Sequence, residues 1–134
     1  SFRIKPGLRF PLHTAAPGKL FLAHMSDQDR ADYLDRATFE KFTPNTLTSE
    51  SALMKEVKLA RQEGYAFDRE EEMIGQFCVA SGVFNRSGRL IGAIWLVAPS
   101  SRVRSSDLPG FAIKVRECAE RISLSFGHSS LRVA

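Results

Sequence analysis

An acid and a thiol, Asp68 and Cys78, are the side chains in this sequence best suited to chemistry. Asp68 opens an acidic run, Asp-Arg-Glu-Glu-Glu over residues 68–72, and Cys78 sits at the start of an apolar stretch. A carboxylate can orient a ligand hydroxyl or a bound water, and a thiol offers either a nucleophile or a small polarisable wall. Nucleophilic use needs a base within reach. His13, His24 and His128 are scattered, with neither H-x-x-x-H nor HExxH spacing, and none has motif spacing to Cys78. The second cysteine, Cys118, completes no C-x-x-C pair. The expectation is therefore no enzyme, no catalytic residue, no metal and no cofactor, in a reduced, cytoplasmic protein. Each candidate also has an ordinary structural role. Asp68 suits a ligand contact or a turn and N-cap for the glutamates after it. Cys78 suits a pocket wall or plain core packing. The glutamates at 70–72 read as a solvated helix start, favoured there by the helix dipole.

These residues need elements to hold them. Residues 76–84 and 90–98 are rich in Val, Ile, Phe and Trp, and Asn85-Arg86-Ser87-Gly88 between them is a polar, Gly-ended turn. The pattern predicts an antiparallel hairpin with Asp68 and Cys78 at its mouth. Ahead of it, Tyr65 and Phe67 form an apolar entry and the acidic run a loop. Trp95 falls among apolar residues on both sides, so alternation leaves open whether it faces a core or a pocket.

Four helices are expected. Pro17 suits a first helical turn, with Lys19 to Met25 following and Leu20 to Ala23 in the core. Gly18 there permits close approach of another backbone or of a ligand. Ser26 with Asp29 starts a short second helix ending near Arg36. Thr48 or Ser49 caps the third, which carries Leu53, Met54, Val57 and Ala60 on one side and stops at Gly64. Asp107 caps a last helix running to about Phe126, with Phe111, Val115, Cys118, Ala119, Ile122 and Phe126 along its inner face. Residues 2–10 read as a short strand or extended lead-in. The order is an α+β pattern.

Composition sets limits. A chain of 134 residues is most simply one domain, and 43% hydrophobic with 25% charged residues is globular. The net charge of +4 is dispersed, which argues against a nucleic-acid stripe. Apolar runs stop well short of the roughly 18 residues a membrane helix needs, so no membrane partner is expected. The abrupt start, Ser-Phe-Arg-Ile-Lys, suggests a piece of a longer protein.

Several short patterns then coincide: Pro11-Leu12-His13-Thr14-Ala15 with Gly18-Lys19, Leu22-Ala23 and Thr46-Leu47, and Arg61-Gln62-Glu63-Gly64-Tyr65-Ala66. They continue through Asp68 to Glu71, Gly75, Cys78-Val79-Ala80, Val83-Phe84, Gly88, Pro99 and Ile122-Ser123-Leu124-Ser125-Phe126-Gly127. In this order and spacing the chain resembles the effector-binding domain of the IclR family of bacterial transcription regulators. The resemblance implies a GAF-like fold, an antiparallel sheet flanked by helices that holds a small organic effector over one face. It also implies a winged helix-turn-helix DNA-binding domain N-terminal to residues 1–134. That domain is absent from this sequence, as is the effector domain's first hairpin, and DNA would be met only through it. An incomplete sheet would be covered most economically by a second copy, so a homodimer or tetramer is expected.

Carried over by position, the resemblance places the effector against Ala16, Pro17, Asp68, Cys78, Trp95 and Val97. Pro17 has no N–H to offer a ligand carboxylate. Members that bind small 2-oxo acids carry hydroxyl side chains where Trp95 and Val97 stand. An indole brings roughly 150–250 Å² of surface. The expected ligand is thus an aromatic or otherwise larger apolar organic acid. The alternative is an oligomerisation domain whose pocket Trp95 fills.

Overall fold

A computed structural model describes residues 5–129. Its centre is the hairpin. Gln76–Phe84 (β2) and Leu90–Pro99 (β3) pair antiparallel, with Cys78 opposite Val97 and Ala80 opposite Trp95. The Asn85 carboxamide oxygen accepts from the Ser87 and Arg89 amides at 3.1 and 3.0 Å, and Gly88 takes the left-handed φ of 79° that the turn needs. Tyr65–Arg69 (β1) lies on the other side of β2, in the order β1-β2-β3. The sequence reads this segment as an entry and a loop. Its five residues end in Asp and Arg, poor strand formers, and pairing with β2 overrides them.

The sheet is covered on both faces, so each face of β2 is buried. Cys78 and Ala80 point to one cluster, with Leu20, Leu53, Val57 and Ala60; Phe77 and Val79 point to the other, with Leu108, Ala112 and Val115. Ala16–His24 (α1), Asp27–Arg36 (α2) and Glu50–Glu63 (α3) supply the first cover, and Leu108–Ser125 (α4) the second. The α+β architecture expected from sequence is thus present, as a three-stranded antiparallel sheet flanked by helices.

Local signals act as written in the chain. The Ser26 hydroxyl accepts from the Asp29 amide and the Ser49 hydroxyl from the Ala52 amide, each at 3.1 Å. Gly64 ends α3 at φ 77°, its N–H donating to Ala60 O at 2.9 Å. A Cβ on Gly18 would stand 2.5 Å from the Leu12 carbonyl oxygen, so the backbone approach foreseen there is made by the lead-in.

Other expectations fail for identifiable reasons. Phe21 points outward at 38% exposure while Leu20 and Leu22 are fully buried, because α1 is enclosed over most of its circumference and Phe21 falls, with Pro17 and His24, on the strip left open. Asp107 does not cap α4. It closes a 3-10 turn, Ser105–Asp107, and its carboxylate accepts from the Arg104 amide at 2.9 Å. The buried stripe of α4 is Leu108, Ala112, Val115, Ala119 and Ser123, which leaves Cys118, Ile122 and Phe126 exposed. Of the two readings of the lead-in, a strand or an extended segment, residues 5–10 form no strand, and residues 2–4 lie outside the described residues. Among the described residues no helix is long and apolar enough to cross a membrane.

Candidate functional site

Strand register gathers the candidates. Asp68 of β1 lies opposite Cys78 of β2, which lies opposite Val97 of β3, making one row across the sheet. Ala66, Ala80 and Trp95 make the adjacent row of the same face. Because side chains alternate along a strand, both rows point toward α1 and α3. Ala16 is fully buried in the same cluster as Cys78 and Ala80, with Trp95 and Val97 packed against it.

The start of α1 has no side-chain cap, its N-cap residue being Ala15. The Ala15 amide bonds back to Pro11 O, and the Lys19 amide is the next to find a carbonyl, Ala15 O at 3.2 Å. Pro17 has no N–H, and the buried Ala16 and Gly18 amides between these bonds have no partner among the described residues. Helix amides left open in this way carry partial positive charge and suit an anion. The indole Nε1 of Trp95 is also buried without a hydrogen-bond partner. Its ring meets Phe10 edge-on at 4.9 Å between centroids. On the α4 side of the sheet, β3 at Trp95 borders a separate open apolar cleft of about 320 Å³ with Ile94, Leu96, Lys114, Val115 and Cys118.

Asp68 is 3% exposed, and its Oδ1 accepts from the Glu71 amide at 2.7 Å. Burial raises its pKa from 3.8 to about 6, an effect opposed by that hydrogen bond and by the Lys19 charge and strengthened by the charges of Glu71 and Glu72. Burial likewise pushes the Cys78 thiol up, offset in part by the Gln76 amide. The Gln76 Nε2 lies 3.4 Å from its sulfur. Such a thiol is a wall, not a nucleophile.

The glutamates beside Asp68 do not start a helix. Glu70 takes a left-handed turn at φ 58°, and Glu71 is buried. Its carboxylate meets Lys19 Nζ at 2.7 Å through both oxygens, and Lys19, itself fully buried, also donates to Phe67 O at 2.6 Å. The Arg69 amide donates to Glu71 Oε2 at 2.9 Å, and the Thr14 hydroxyl to Glu72 Oε2 at 3.1 Å. Thr43 and Thr46 donate to the Glu70 and Glu71 carbonyls at 2.6 and 2.5 Å. Asp68 is therefore set by a latch joining the acidic loop to α1, and sequence reasoning missed Lys19, Glu71 and Thr14 as its parts. A lysine inside an otherwise apolar helix run was the available signal. His13 Nε2 donates to the Glu40 carbonyl at 2.8 Å and its ring meets Phe39 and Phe42 at 5.9 and 6.0 Å between centroids, which ties the segment before Pro17 to the one after α2. Among the described residues no three His, Cys, Asp or Glu side chains group closely enough to hold a metal ion.

Residues 1–124 match the family model described as the C-terminal domain of the bacterial transcriptional regulator IclR. The HTH-type transcriptional repressor AllR of Escherichia coli K12 is 32% identical over 121 residues, 90% of this chain and 45% of that protein. The chain thus spans about half the length of such curated relatives. Among solved structures, the C-terminal domain of the E. coli regulator KdgR superposes with a TM-score of 0.80 at 30% identity, over 91% of this chain and 74% of that one. A double mutant of the inducer-binding domain of the Acinetobacter transcription factor PobR, in complex with 3-hydroxybenzoic acid, gives 0.80 at 24% identity, over 92% and 74%. Fold, residue pattern and relatives agree: the chain belongs to the IclR family of bacterial transcriptional regulators, as their C-terminal effector-binding domain.

Proposed function

We propose that this domain senses an organic acid with an apolar, aromatic-sized body, held between the start of α1 and the sheet. The carboxylate lies toward the Ala16 and Gly18 amides, with Pro17 restricting that end to two donors. Asp68 receives a polar substituent, Cys78 and Val97 form the floor, and Trp95 is the flat wall. The pair of buried amides without partners carries this reading, because a ligand oxygen satisfies them at the end of a helix dipole. The apolar surfaces of Trp95 and Val97 favour a ligand larger than a two- or three-carbon acid. The fold is shared with a domain that takes a hydroxybenzoic acid, which is consistent with that size.

The sensor works by population shift: the effector binds one arrangement of a dimer or tetramer better and moves the equilibrium by that difference in affinity. DNA is contacted by an N-terminal winged helix-turn-helix domain. A second reading, an oligomerisation domain whose pocket the indole fills, is favoured by the Phe10 ring set edge-on against Trp95. Fluorescence separates the two, since Trp95 is the only tryptophan. Titration with benzoate, hydroxybenzoates and aliphatic acids should give a saturable change for one class, and Trp95→Ser should shift the size preference towards smaller acids. Silence across the panel, in emission and in melting temperature, selects the filled-pocket reading.

A further inference from the structure

A second cleft, sharing no residue with the proposed effector site, opens where α1 hands over to α2 and both meet α3. Its volume is about 590 Å³, within the range that takes a small organic molecule. The floor is apolar: Met25, Met54 and the buried Val57. The rim is cationic, with Arg30, Lys58 and Arg61 against a single carboxylate, Asp27.

The two guanidinium groups are held in place. Arg30 donates to Leu22 O and Met25 O at 3.1 and 3.3 Å and pairs with Asp27 at 2.5 Å. Arg61 donates to Ala23 O at 2.8 Å. The carbonyls at the end of α1, the negative pole of its dipole, are thereby spent on these donors. Asp27 is spent on Arg30, while Lys58 and Arg61 have no carboxylate partner among the described residues. Two positive charges therefore stand over a methionine floor with no carboxylate opposite them. Their field is felt nearby, for the Arg61 charge adds to burial in lowering the His24 pKa.

We infer that this cleft is a second ligand site, for a carboxylate with a flexible apolar body: the chain lies on Met25, Met54 and Val57, and the carboxylate meets Lys58 and Arg61. A bare inorganic anion would leave the floor in water, and a neutral apolar molecule would leave the cations unused. Methionine floors adapt to varied apolar shapes, which fits a class of ligands better than one compound.

The three methionines make the test direct. In protein labelled with 13C at the methionine methyls, Met25 and Met54 report on the cleft, and Met73, 53% exposed in the acidic loop, is the control. Sodium octanoate, kept below its micelle concentration, should shift the Met25 and Met54 signals saturably and leave Met73 still. Lys58→Gln, a change at an exposed position, should weaken the apparent affinity by about five- to tenfold, about 1–1.4 kcal/mol at 1.36 kcal/mol per tenfold. Adding Arg61→Gln should abolish saturation. Equal shifts with inorganic phosphate, parallel movement of all three methyls, or an affinity indifferent to Lys58→Gln would each overturn the assignment. Trp95 emission followed in the same titration tells this site from the one on the sheet, and a response there with silent methionines also overturns it.

Discussion

Replacing Lys19 by methionine removes the only cation inside the latch that sets Asp68. The side chain is fully buried and donates to both oxygens of Glu71 and to Phe67 O. Methionine fills much of the same volume, so the cavity contribution is small and the loss is electrostatic. Glu71 is left 5% exposed as a side chain, with the Arg69 amide as its remaining donor. Breaking a buried pair in this way costs about 3–5 kcal/mol. A domain of this length has about 7–20 kcal/mol in total at 0.05–0.15 kcal/mol per residue, so the variant still folds. At an unfolding entropy of about 2.1 cal/mol/K per residue, the melting temperature should fall by about 10–18 °C. Urea denaturation followed by Trp95 emission gives the free energy directly. The companion variant Lys19→Met/Glu71→Leu removes both charges and should recover at least half of the loss, because two apolar groups leave no charge unpaired. A cost below about 1 kcal/mol for the single change, or strict additivity in the cycle, would refute a buried, coupled pair.

Asp68 adds a pH dependence of opposite sign to that of a salt-bridged carboxylate. Its folded pKa of about 6 exceeds the ordinary 3.8, so between these values the folded state binds more protons than the unfolded, and stability falls as pH rises. About 2–3 kcal/mol should be lost across that window and Asp68→Asn should flatten it, as denaturation at pH 4.5 to 7 would check; an unchanged slope sinks the idea. Gly18→Ala forces a methyl to within 2.5 Å of Leu12 O and 2.7 Å of its Cα, both backbone atoms. A loss of about 1–3 kcal/mol is expected by thermal melting, and a neutral result would mean that the lead-in can move aside freely. A disulfide reagent should modify exposed Cys118 at once and buried Cys78 only as fast as the domain opens. Two equally fast thiols in the native protein would contradict the packing of Cys78.

Which parts of this were legible in the sequence follows from the range of the interactions. Ser49, Gly64 and the Asn85–Gly88 turn act on backbone within a few residues, so their effect can be read from neighbours alone. The meeting of Asp68 with Cys78 depends on the register of β1 against β2, which the patterning of the β2–β3 hairpin does not set. Strand β1 is harder, since its two polar residues are overruled by a partner strand rather than by local preference. The helix α4 carries apolar residues over more than half its circumference, and only contact with the sheet selects Ala112 and Ala119 over Cys118 and Ile122. Least legible is the buried Lys19, whose partner stands 52 residues away in a run that otherwise looks solvated.

The two sides that hold Trp95 and Asp68 differ in stiffness. Around Asp68, the loop is clamped to α1 by a buried ion pair, to the segment just before that helix by the Thr14 hydroxyl, and to the segment between α2 and α3 by the hydroxyls of Thr43 and Thr46. The Phe10 ring that meets Trp95 belongs to a segment without regular structure, and the edge contact is worth only about 0.5–1.5 kcal/mol beyond the area it covers, one to three times the thermal energy. A disturbance at the centre of the sheet therefore relaxes toward the lead-in rather than into the loop. The domain is built with a firm jaw and a yielding one, and displacement accumulates where the chain runs back toward its beginning.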